Sequence, residues 1–301
     1  MNTIYCSPTH MKFLAGSSDA KGIKISDFAK IDLPAGGMIN GIITDAGIMS
    51  QFFKQAAADH DLARSAAWLI INNPNINTKI VDIPHVGEDQ ALEFIKREIT
   101  QYSEEETDEV FDFTVLNPKS ESGGMTVLAV GVSRELLTSY RDSLASAGIE
   151  LAGINLGLNC HIQLTELMPL LSRDTVILVW VDGRALTLTL FSNGEYRIQN
   201  RSRMVHSEDE PEWSDEISAG ISTMIQFSKS QRSSEVVSAA FIAGVSTEKF
   251  KDLKGAISNL EIEIKPLDFA SKVSLTGKAS GSKDWEAGEY LLNIGNLIGK
   301  K

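Results

Sequence analysis

The side chains best suited to metal binding or nucleophilic catalysis are few in this sequence, and their spacing favours neither chemistry. Cys6 and Cys160 are far apart and have no Cys-x-x-Cys companion, so neither a zinc site nor a disulfide framework is indicated, and a reducing compartment fits best. Cys160 and His161 lie in an apolar helical pattern, where a core role is more common than ligation. No His-Glu-x-x-His spacing occurs among the histidines, which are His10, His60, His85, His161 and His206. We therefore predict no metal site.

Sequence motifs of the common enzyme chemistries are also missing. The chain has no Gly-x-Ser-x-Gly nucleophile turn, no phosphate-binding P-loop and no Gly-x-Gly-x-x-Gly fingerprint. Serine hydrolase, P-loop and dinucleotide chemistry are therefore unsupported. Any site has to be sought through the elements that would position it.

Length and charge narrow the class of protein. At 301 residues, with 43% hydrophobic and 23% charged residues, the chain is long enough for two domains. Its formal charge of -12 disfavours binding to nucleic acid phosphates or to anionic lipid, so we expect protein or small-molecule partners. No secretory leader and no long uncharged apolar run are seen, and we expect a soluble, cytoplasmic chain.

The first part of the chain has the pattern of a three-stranded meander, a helix and a buried strand. Strands are predicted at Asn2 to Cys6, His10 to Gly16, Ile23 to Leu33 and Ala66 to Ile71. Asp45 can cap the intervening helix, whose predicted apolar face carries Ile48, Phe52 and Ala56. The order is βββαβ.

From about Thr78 the pattern changes to that of an inserted α+β subdomain. A helix with Leu92, Ile95, Ile99 and Tyr102 on one face precedes the acidic run Glu104 to Glu109, which we interpret as a solvated loop. Strands are predicted at Val110 to Leu116 and Met125 to Val132. Ser133 then caps a helix that bears Leu136, Leu137, Tyr140 and Leu144 and ends at Gly148.

The βββαβ order then recurs. After a predicted helix at Leu156 to Leu171, strands are predicted at Thr175 to Val181, Ala185 to Ser192, Glu195 to Asn200 and Glu235 to Ala243. The helix Glu212 to Gln231 lies between the last two and has one apolar face: Trp213, Ile217, Ile221, Met224, Ile225 and Ser228. Helix Thr247 to Ser258, strand Leu260 to Ile264 and helix Trp285 to Ile298 complete the chain. A displacement of roughly 170 residues between the halves indicates a duplicated domain.

Four stretches together resemble the PilM-type, actin-like assembly proteins of bacterial type IV pili, which are related to FtsA. Ile217 to Gln231 resembles the family helix E-I-x-R-S-L-x-F-Y-x-S-Q and retains Phe227, Ser230 and Gln231. Ser139 to Asn155 resembles the passage that leaves the inserted subdomain. Ala240 to Ser246 resembles the adenosine-binding strand and loop, and Leu291 to Gly299 resembles the terminal helix. The resemblance covers nearly the whole chain in order.

The resemblance implies an α/β, actin-like (ribonuclease H-like) fold with duplicated βββαβα domains and an inserted α+β subdomain. The implied limits are residues 1–77 with 155–172 for the first domain, 78–154 for the inserted subdomain and 173–301 for the second domain. In this family, one β-turn in each domain reads Asp-x-Gly and helps to hold nucleotide phosphates and hydrated Mg²⁺.

Both phosphate turns depart from that pattern in this chain. Tyr5 and Trp180 stand where the family has Asp, while Ser7 and Asp182 stand where it has Gly. An indole or a phenol cannot orient a hydrated divalent ion, and a Cβ at the glycine position obstructs close approach of backbone to phosphate. We therefore expect ATP hydrolysis to be weak or absent and no cofactor to be bound, with Mg·ATP the exception if the loops remain competent. The pocket residues implied are Ser7, Thr9, Lys12, Asp182, Gly183, Thr187, Gly244 and Ser246.

Each of these assignments has a structural alternative. Lys12 can be a solvent-facing strand residue, Asp182-Gly183 a type I′ hairpin turn, and Gly244 with Ser246 a strand-to-helix turn with an N-cap. Tyr5 and Trp180 can fill a closed space where a nucleotide once lay. Conversely, if the alignment of the second phosphate turn with the family pattern shifts by two residues, Asp182-Gly183 and Thr187 could form a working phosphate loop.

The resemblance implies a cytoplasmic scaffold at the inner face of the cell membrane, in a type IV pilus or type II secretion machine. Its partner would be the cytoplasmic N-terminal peptide of a PilN-like inner-membrane protein, with membrane contact only through that partner; self-association is also compatible. The alternative is an active ATPase or small-molecule kinase of the same superfamily. A third interpretation is the soluble part of a longer GspL-like chain, with Gly299, Lys300 and Lys301 as a basic flank.

Overall fold

The computed structural model describes residues 1–19, 21–62, 65–101, 108–120, 123–230 and 236–298. The first part of the chain contains β1 (Asn2–Cys6), β2 (His10–Asp19), β3 (Gly22–Asp32), β4 (Met38–Ile39), β5 (Ile42–Ile43), α1 (Ala46–Asp59) and β6 (Ala67–Ile71). The middle part contains β7 (Asn77–Ile83), α2 (Glu88–Thr100), β8 (Glu109–Asn117), β9 (Met125–Ser133), α3 (Arg134–Ser146) and β10 (Leu151–Leu156). The last part contains α4 (Gly157–Leu167), β11 (Thr175–Asp182), β12 (Ala185–Ser192), β13 (Glu195–Arg203), α5 (Glu212–Ser230), β14 (Val237–Ala243), α6 (Thr247–Ala256), β15 (Glu263–Pro266), β16 (Val273–Leu275) and α7 (Leu291–Ile298).

Two larger sheets carry the duplicated pattern. One has the strand order β10-β6-β1-β2-β3-β16, and the other has the order β13-β12-β11-β14-β15. In each, the first strand of the meander pairs antiparallel with the second and parallel with the strand that follows the helix, as β1 does with β2 and β6, and β11 with β12 and β14. The predicted α/β fold with duplicated βββαβ units is therefore confirmed.

Contacts divide the chain into two compact units. One comprises residues 1–31, 67–70 and 153–301 and contains most of both large sheets. The other comprises residues 32–66 and 71–152 and contains the β4-β5 hairpin, the antiparallel sheet β7-β9-β8 and helices α1, α2 and α3. The domain limits given above from the sequence remain a prediction.

Helix caps and apolar spacing explain most of the helices. The side chains of Asp45 and Ser133 accept hydrogen bonds from the backbone N–H groups of Ile48 and Leu136, as expected of N-caps, and Gly148 has the positive φ of a helix end. On α5 the apolar face is buried as predicted. It packs against β11, β12 and β14 through Trp213, Ile217, Ile221 and Met224.

Several predicted bounds and one predicted face were wrong. The buried face of α1 is formed by Met49, Phe53, Ala56 and Ala57, because the Asp45 cap places Ile48 in the first turn, where it is exposed. The predicted helix to Leu171 ends at Leu167, since Pro169 disfavours a helical conformation at Met168.

Near the C-terminus, two more bounds differ. The strand predicted at Leu260 to Ile264 is delayed to Glu263 by the left-handed conformation of Glu261. The helix predicted at Trp285 to Ile298 is observed as a 3-10 helix, Ala287–Tyr290, followed directly by α7 from Leu291. Strands β4, β5, β7, β10 and β16 were not predicted. Glu109 belongs to β8 rather than to a loop, while Tyr102, the rest of the acidic run up to residue 107, Gln231, Glu235 and residues 299–301 lie outside the described residues.

Candidate functional site

The first predicted phosphate turn joins β1 to β2, and its polar groups are engaged within the turn. Cys6 pairs with Met11, and the backbone N–H of Ser7 donates to the carbonyl of His10 at 2.8 Å. The Ser7 hydroxyl accepts from the backbone N–H groups of His10 (3.0 Å) and Thr9 (3.3 Å), and the Thr9 hydroxyl contacts His10 Nδ1 at 2.7 Å. Ser7 and Thr9 therefore stabilise the turn itself.

The second turn is the two-residue connection between β11 and β12. Asp182 pairs with Ala185 at the end of the ladder, leaving Gly183 and Arg184 as the loop. Gly183 has a φ of +60°, whereas Arg184 is not among the residues with positive φ. Because a type I′ turn requires positive φ at both positions, the predicted type I′ turn is wrong; the pattern is that of type II′, with glycine first.

In each hairpin, the side chains of the predicted site lie on one face of the sheet, because side chains alternate between the two faces along a strand. Tyr5 and Lys12 are directly opposite each other in the β1-β2 register, so their side chains share a face. Trp180 and Asp182 are two residues apart on β11 and also share a face, opposite the one that Val179 and Val181 bury against α5 and α6. The two hairpins thus present one aromatic and one charged side chain each.

Lys12 and Asp182 form a buried ion pair that joins the two hairpins. Lys12 Nζ donates to Asp182 Oδ1 at 2.6 Å, and the two side chains are only 3% and 5% exposed. The other carboxylate oxygen of Asp182 accepts from the Tyr5 hydroxyl at 2.9 Å. Both Asp182 oxygens therefore have partners within the chain. The solvent-facing interpretation of Lys12 was wrong.

Trp180 fills the space beside this ion pair. Its ring is fully buried, lies 6.0 Å from the Tyr5 ring between centroids, and has Lys12 Nζ 5.9 Å from its own centroid. Its indole N–H donates to the carbonyl of Gly288 at 3.0 Å. Tyr5 and Trp180 are therefore packed as fillers, in agreement with the structural alternative given from the sequence.

Residues 286–290 close the site from a third direction, which the sequence analysis missed. The carbonyl of Glu289 accepts from Lys12 Nζ at 2.9 Å, and Gly288 lies against the backbone of Gly244, where a Cβ on Gly288 would stand 2.5 Å from Gly244 N. The only sequence signal was Gly288 itself, because glycine is unfavourable within a helix and so points to a packing constraint at its position.

Gly244 and Ser246 behave as a strand-to-helix connection. Gly244 has a φ of +78°, and a Cβ there would overlap the carbonyl oxygen of Val181. Ser246 is the N-cap of α6, with its hydroxyl accepting from the backbone N–H of Lys249 at 3.3 Å. Of these two residues, Gly244 lies next to Trp180, whereas the Ser246 hydroxyl is used by its own helix.

A buried polar side chain of α4, that of His161, lies next to Trp180. The His161 ring meets the Trp180 ring edge to face at 5.6 Å, and its Nδ1 contacts the Thr189 hydroxyl at 2.9 Å. Burial, with the charge of Arg201 adding to it, lowers the pKa of His161 to about 3, so this ring is neutral at physiological pH. Thr187 lies two residues before Thr189 on β12 and pairs with Trp180 of β11. It is buried, and its hydroxyl has no hydrogen-bond partner among the described residues.

The predicted site residues are thus only partly brought together. Lys12 and Asp182 meet, with Gly183 and Thr187 on the same hairpin and Gly244 nearby, whereas the hydroxyls of Ser7, Thr9 and Ser246 are used locally. Their assignment to a nucleotide pocket remains a prediction. Across the described residues, no group of three His, Cys, Asp or Glu side chains could hold a metal ion.

No helix in the described parts of the chain combines the length and apolar character needed to cross a bilayer.

Burial raises the pKa of the Cys6 thiol to about 12, which leaves it protonated and unreactive.

Comparisons with known proteins give a clear result for structure only. No family model and no curated protein match the sequence. A solved PilM-PilN type IV pilus biogenesis complex matches with a TM-score of 0.79 at 13% identity, covering 98% of this chain and 97% of that chain. A Bacteroides thetaiotaomicron protein with an actin-like ATPase fold matches with a TM-score of 0.53 at 10% identity, covering 88% of this chain and 90% of that chain. The cytoplasmic domain of EpsL from the Vibrio cholerae type II secretion system matches with a TM-score of 0.52 at 12% identity, covering 100% of this chain and 95% of that chain. The chain therefore has the actin-like fold, and its predicted resemblance to PilM-type proteins is confirmed in its structure.

Proposed function

We propose that this protein is an actin-like scaffold of a type IV pilus or type II secretion machine, and that it does not hydrolyse ATP. The observation that carries the proposal is the buried bridge between Lys12 and Asp182, with the Tyr5 hydroxyl on the second carboxylate oxygen. This bridge lies between the two hairpins that would hold nucleotide phosphates in an actin-like ATPase.

The chemistry of the site does not fit Mg·ATP. Mg²⁺ requires oxygen ligands in near-octahedral geometry and usually takes one or two carboxylates with several waters. Asp182 is the carboxylate at the end of the second hairpin, and both its oxygens are bound by Lys12 and Tyr5. The Trp180 ring and the carbonyls of Gly288 and Glu289 fill the adjoining space. A nucleotide would have to displace all of these groups.

The proposed partner is the cytoplasmic N-terminal peptide of a PilN-like inner-membrane protein. The likeness to the PilM-PilN complex and to the cytoplasmic domain of EpsL, an inner-membrane component, supports this partner and a position at the inner face of the cell membrane. The formal charge of -12 agrees with recruitment by a protein rather than by anionic lipid or nucleic acid.

Isothermal titration with Mg·ATP and a phosphate-release assay on the same sample test the first half of the proposal. We expect neither binding heat nor released phosphate. Tight binding with turnover would contradict the proposal and support the alternative of an active ATPase or small-molecule kinase.

Fluorescence anisotropy tests the second half. A labelled peptide with the cytoplasmic N-terminal sequence of the PilN-like protein from the same genome should bind saturably, while a scrambled peptide of equal charge should not. Addition of Mg·ATP should leave the affinity unchanged. A peptide that binds no better than its scrambled control would contradict the scaffold assignment.

A further inference from the structure

Residues 286–290 cover the Lys12–Asp182 bridge in a way that suggests a movable element. We call this segment the strap. Its two contacts with the bridge region are made by backbone carbonyls: Gly288 O accepts from Trp180 Nε1 at 3.0 Å, and Glu289 O accepts from Lys12 Nζ at 2.9 Å. The strap is thus the third partner of the buried lysine.

The two ends of the strap are held very differently. On its C-terminal side it continues into α7, all of whose residues are buried, and Asn293 of α7 donates to the Thr3 hydroxyl at 3.0 Å. On its N-terminal side it follows residues 280–284, which are mostly exposed. One end is therefore fixed and the other leads into solvent, which is the arrangement of a hinged lid.

The remaining ties of the strap are one surface ion pair and one buried aromatic side chain, that of Tyr290, which is 2% exposed. Lys30 Nζ contacts Glu289 Oε1 at 2.8 Å, and both side chains are about one-third exposed at 36% and 30%. Tyr290 stacks on Trp285 at 5.1 Å, and Phe28 meets Tyr290 edge to face at 5.5 Å. A partly exposed ion pair of this kind contributes little to stability. Tyr290 lies next to the start of α7, where the strap is fixed, so few strong contacts resist opening of the residues ahead of it.

We propose that the strap opens about the start of α7 without unfolding of the two sheets beneath it, and so sets whether the Lys12–Asp182 bridge is buried or hydrated. This inference rests on the proposed function, because it takes the bridge rather than a nucleotide as the occupant of the site. Hydration raises the local dielectric and weakens the attraction between the two charges, so strap opening loosens the link between the β1-β2 and β11-β12 hairpins.

Acylation of Lys12 by an amine-reactive ester, followed by mass spectrometry, tests the proposal without any ligand. With the strap closed, Lys12 is 2% exposed, whereas Lys24 is exposed and serves as an internal standard. If the strap opens locally, the labelling rate of Lys12 will be nearly independent of urea below the unfolding transition. Labelling that rises in step with global unfolding overturns the proposal.

Two variants sharpen the test. Gly288→Ala places a methyl group against Gly244, and we expect it to speed Lys12 acylation about tenfold relative to Lys24. Gly255→Ala is the matched control, because no atom lies within 4 Å of its Cβ, and it should label as the unaltered protein does. If Gly288→Ala fails to fold, Lys30→Met decides: it removes only the surface ion pair, and a labelling rate about twofold faster supports the strap. An unchanged Lys12 rate in the folded variant overturns it.

The outcome is separable from that of the proposed function. Lysine labelling is measured with no nucleotide present, so ATP binding by the unaltered protein would refute the scaffold proposal and leave the strap measurement as it stands. Conversely, a strap that never opens locally would leave the absence of ATP hydrolysis unaffected.

Discussion

A lysine that is almost fully buried depends on its partners. Lys12 has three neighbours that favour its charge: the Asp182 carboxylate, the Glu289 carbonyl and the face of the Trp180 ring. Removal of one member of such a pair leaves the other charge buried without compensation, which costs more than the pair itself contributes.

Lys12→Met is therefore expected to lower the free energy of unfolding by about 3–5 kcal/mol, measured by urea denaturation. Lys24→Met is the matched control. It removes an exposed ion pair with Asp19, at 59% and 46% exposure, and should cost no more than about 1 kcal/mol. Equal losses in the two variants would show that the Lys12–Asp182 bridge is not buried in solution.

His161 provides a second test at the scale of single residues, through pH. Its pKa is about 3 in the folded protein and near 6.5 in an unfolded chain, so the unfolded state binds more protons between these values. The free energy of unfolding should therefore fall as the pH is lowered from about 6.5 towards 3. At pH 5, the protonation of His161 in the unfolded state alone should lower it by about 2 kcal/mol.

The measurement compares thermal or urea unfolding at neutral pH and near pH 5. His161→Gln can keep a hydrogen bond to Thr189 but cannot titrate, so it should lose about 2 kcal/mol less on acidification than the unaltered protein. His85→Gln, at an exposed position, is the matched control for the substitution itself. Identical acid sensitivity in all three proteins would mean that His161 is not buried.

The resemblance to PilM-type proteins singled out Tyr5, Lys12, Trp180 and Asp182, because the two predicted hairpins could be matched to the phosphate turns of that family. It was not sufficient to join them. The Tyr5 hydroxyl and Asp182 are 177 residues apart, and no local pattern links a residue of one half to a residue of the other. That link depends on how the two sheets pack.

At the scale of elements, the connection from β14 to α6 depends on one backbone conformation. Gly244→Ala would force a Cβ into a position with φ of +78° and into overlap with the Val181 carbonyl oxygen. We expect a loss of roughly 2–4 kcal/mol in the free energy of unfolding. Gly255→Ala lies within α6 with open space around it, so it should be neutral or stabilise by up to about 1 kcal/mol. A neutral Gly244→Ala would show that this turn is not tightly packed.

Elements with a clear period and clear turn residues were predicted well, and short or polar elements were not. Strands β1 and β12 were found with their observed bounds, because each is apolar and is flanked by turn-forming residues. Strand β7 is largely polar, and β16 has three residues that form a strand only by pairing with β3, far away in the chain. Such strands owe their existence to a neighbour rather than to their own sequence.

The strap is another segment whose structure depends on distant residues rather than on its own sequence. Its sequence continues the apolar pattern of α7, so a single helix from Trp285 was the natural prediction. The observed α-helix begins at Leu291 and is preceded by a 3-10 helix, Ala287–Tyr290, in which the carbonyls of Gly288 and Glu289 accept from Trp180 and Lys12. Tertiary hydrogen bonds thus accompany a change from α-helix to 3-10 helix, which local propensity does not predict.

At the scale of the whole molecule, the duplication was readable because it repeats an order of elements rather than a motif. The arrangement β6-β1-β2-β3 in one sheet matches β14-β11-β12-β13 in the other. That repetition indicated a duplicated domain, and the four stretches that resemble PilM-type proteins implied the actin-like fold, even though sequence identity to the PilM-PilN structure is 13%. Fold alone does not determine activity, and the case against ATP hydrolysis rests on the Lys12–Asp182 bridge.

The overall charge leads to a prediction about recruitment. With a formal charge of -12, the protein should be repelled by anionic bilayers. In a sedimentation assay with phosphatidylserine-containing vesicles, we expect it to remain in the supernatant. When the cytoplasmic peptide of the proposed PilN-like partner is tethered to neutral vesicles through a lipid at its C-terminal end, we expect the protein to sediment with them. A scrambled tethered peptide should fail to recruit it.

The two vesicle types separate the sources of attraction. Sedimentation with bare anionic vesicles would show a direct lipid contact, which the charge of the chain argues against, and raising the salt concentration would then weaken it if basic side chains were responsible. Recruitment by the tethered peptide should persist at moderate salt if apolar contacts dominate, because only the electrostatic part is screened. If neither vesicle type recruits the protein, the proposed partner is wrong, although the closed Lys12–Asp182 site would still argue against ATP hydrolysis.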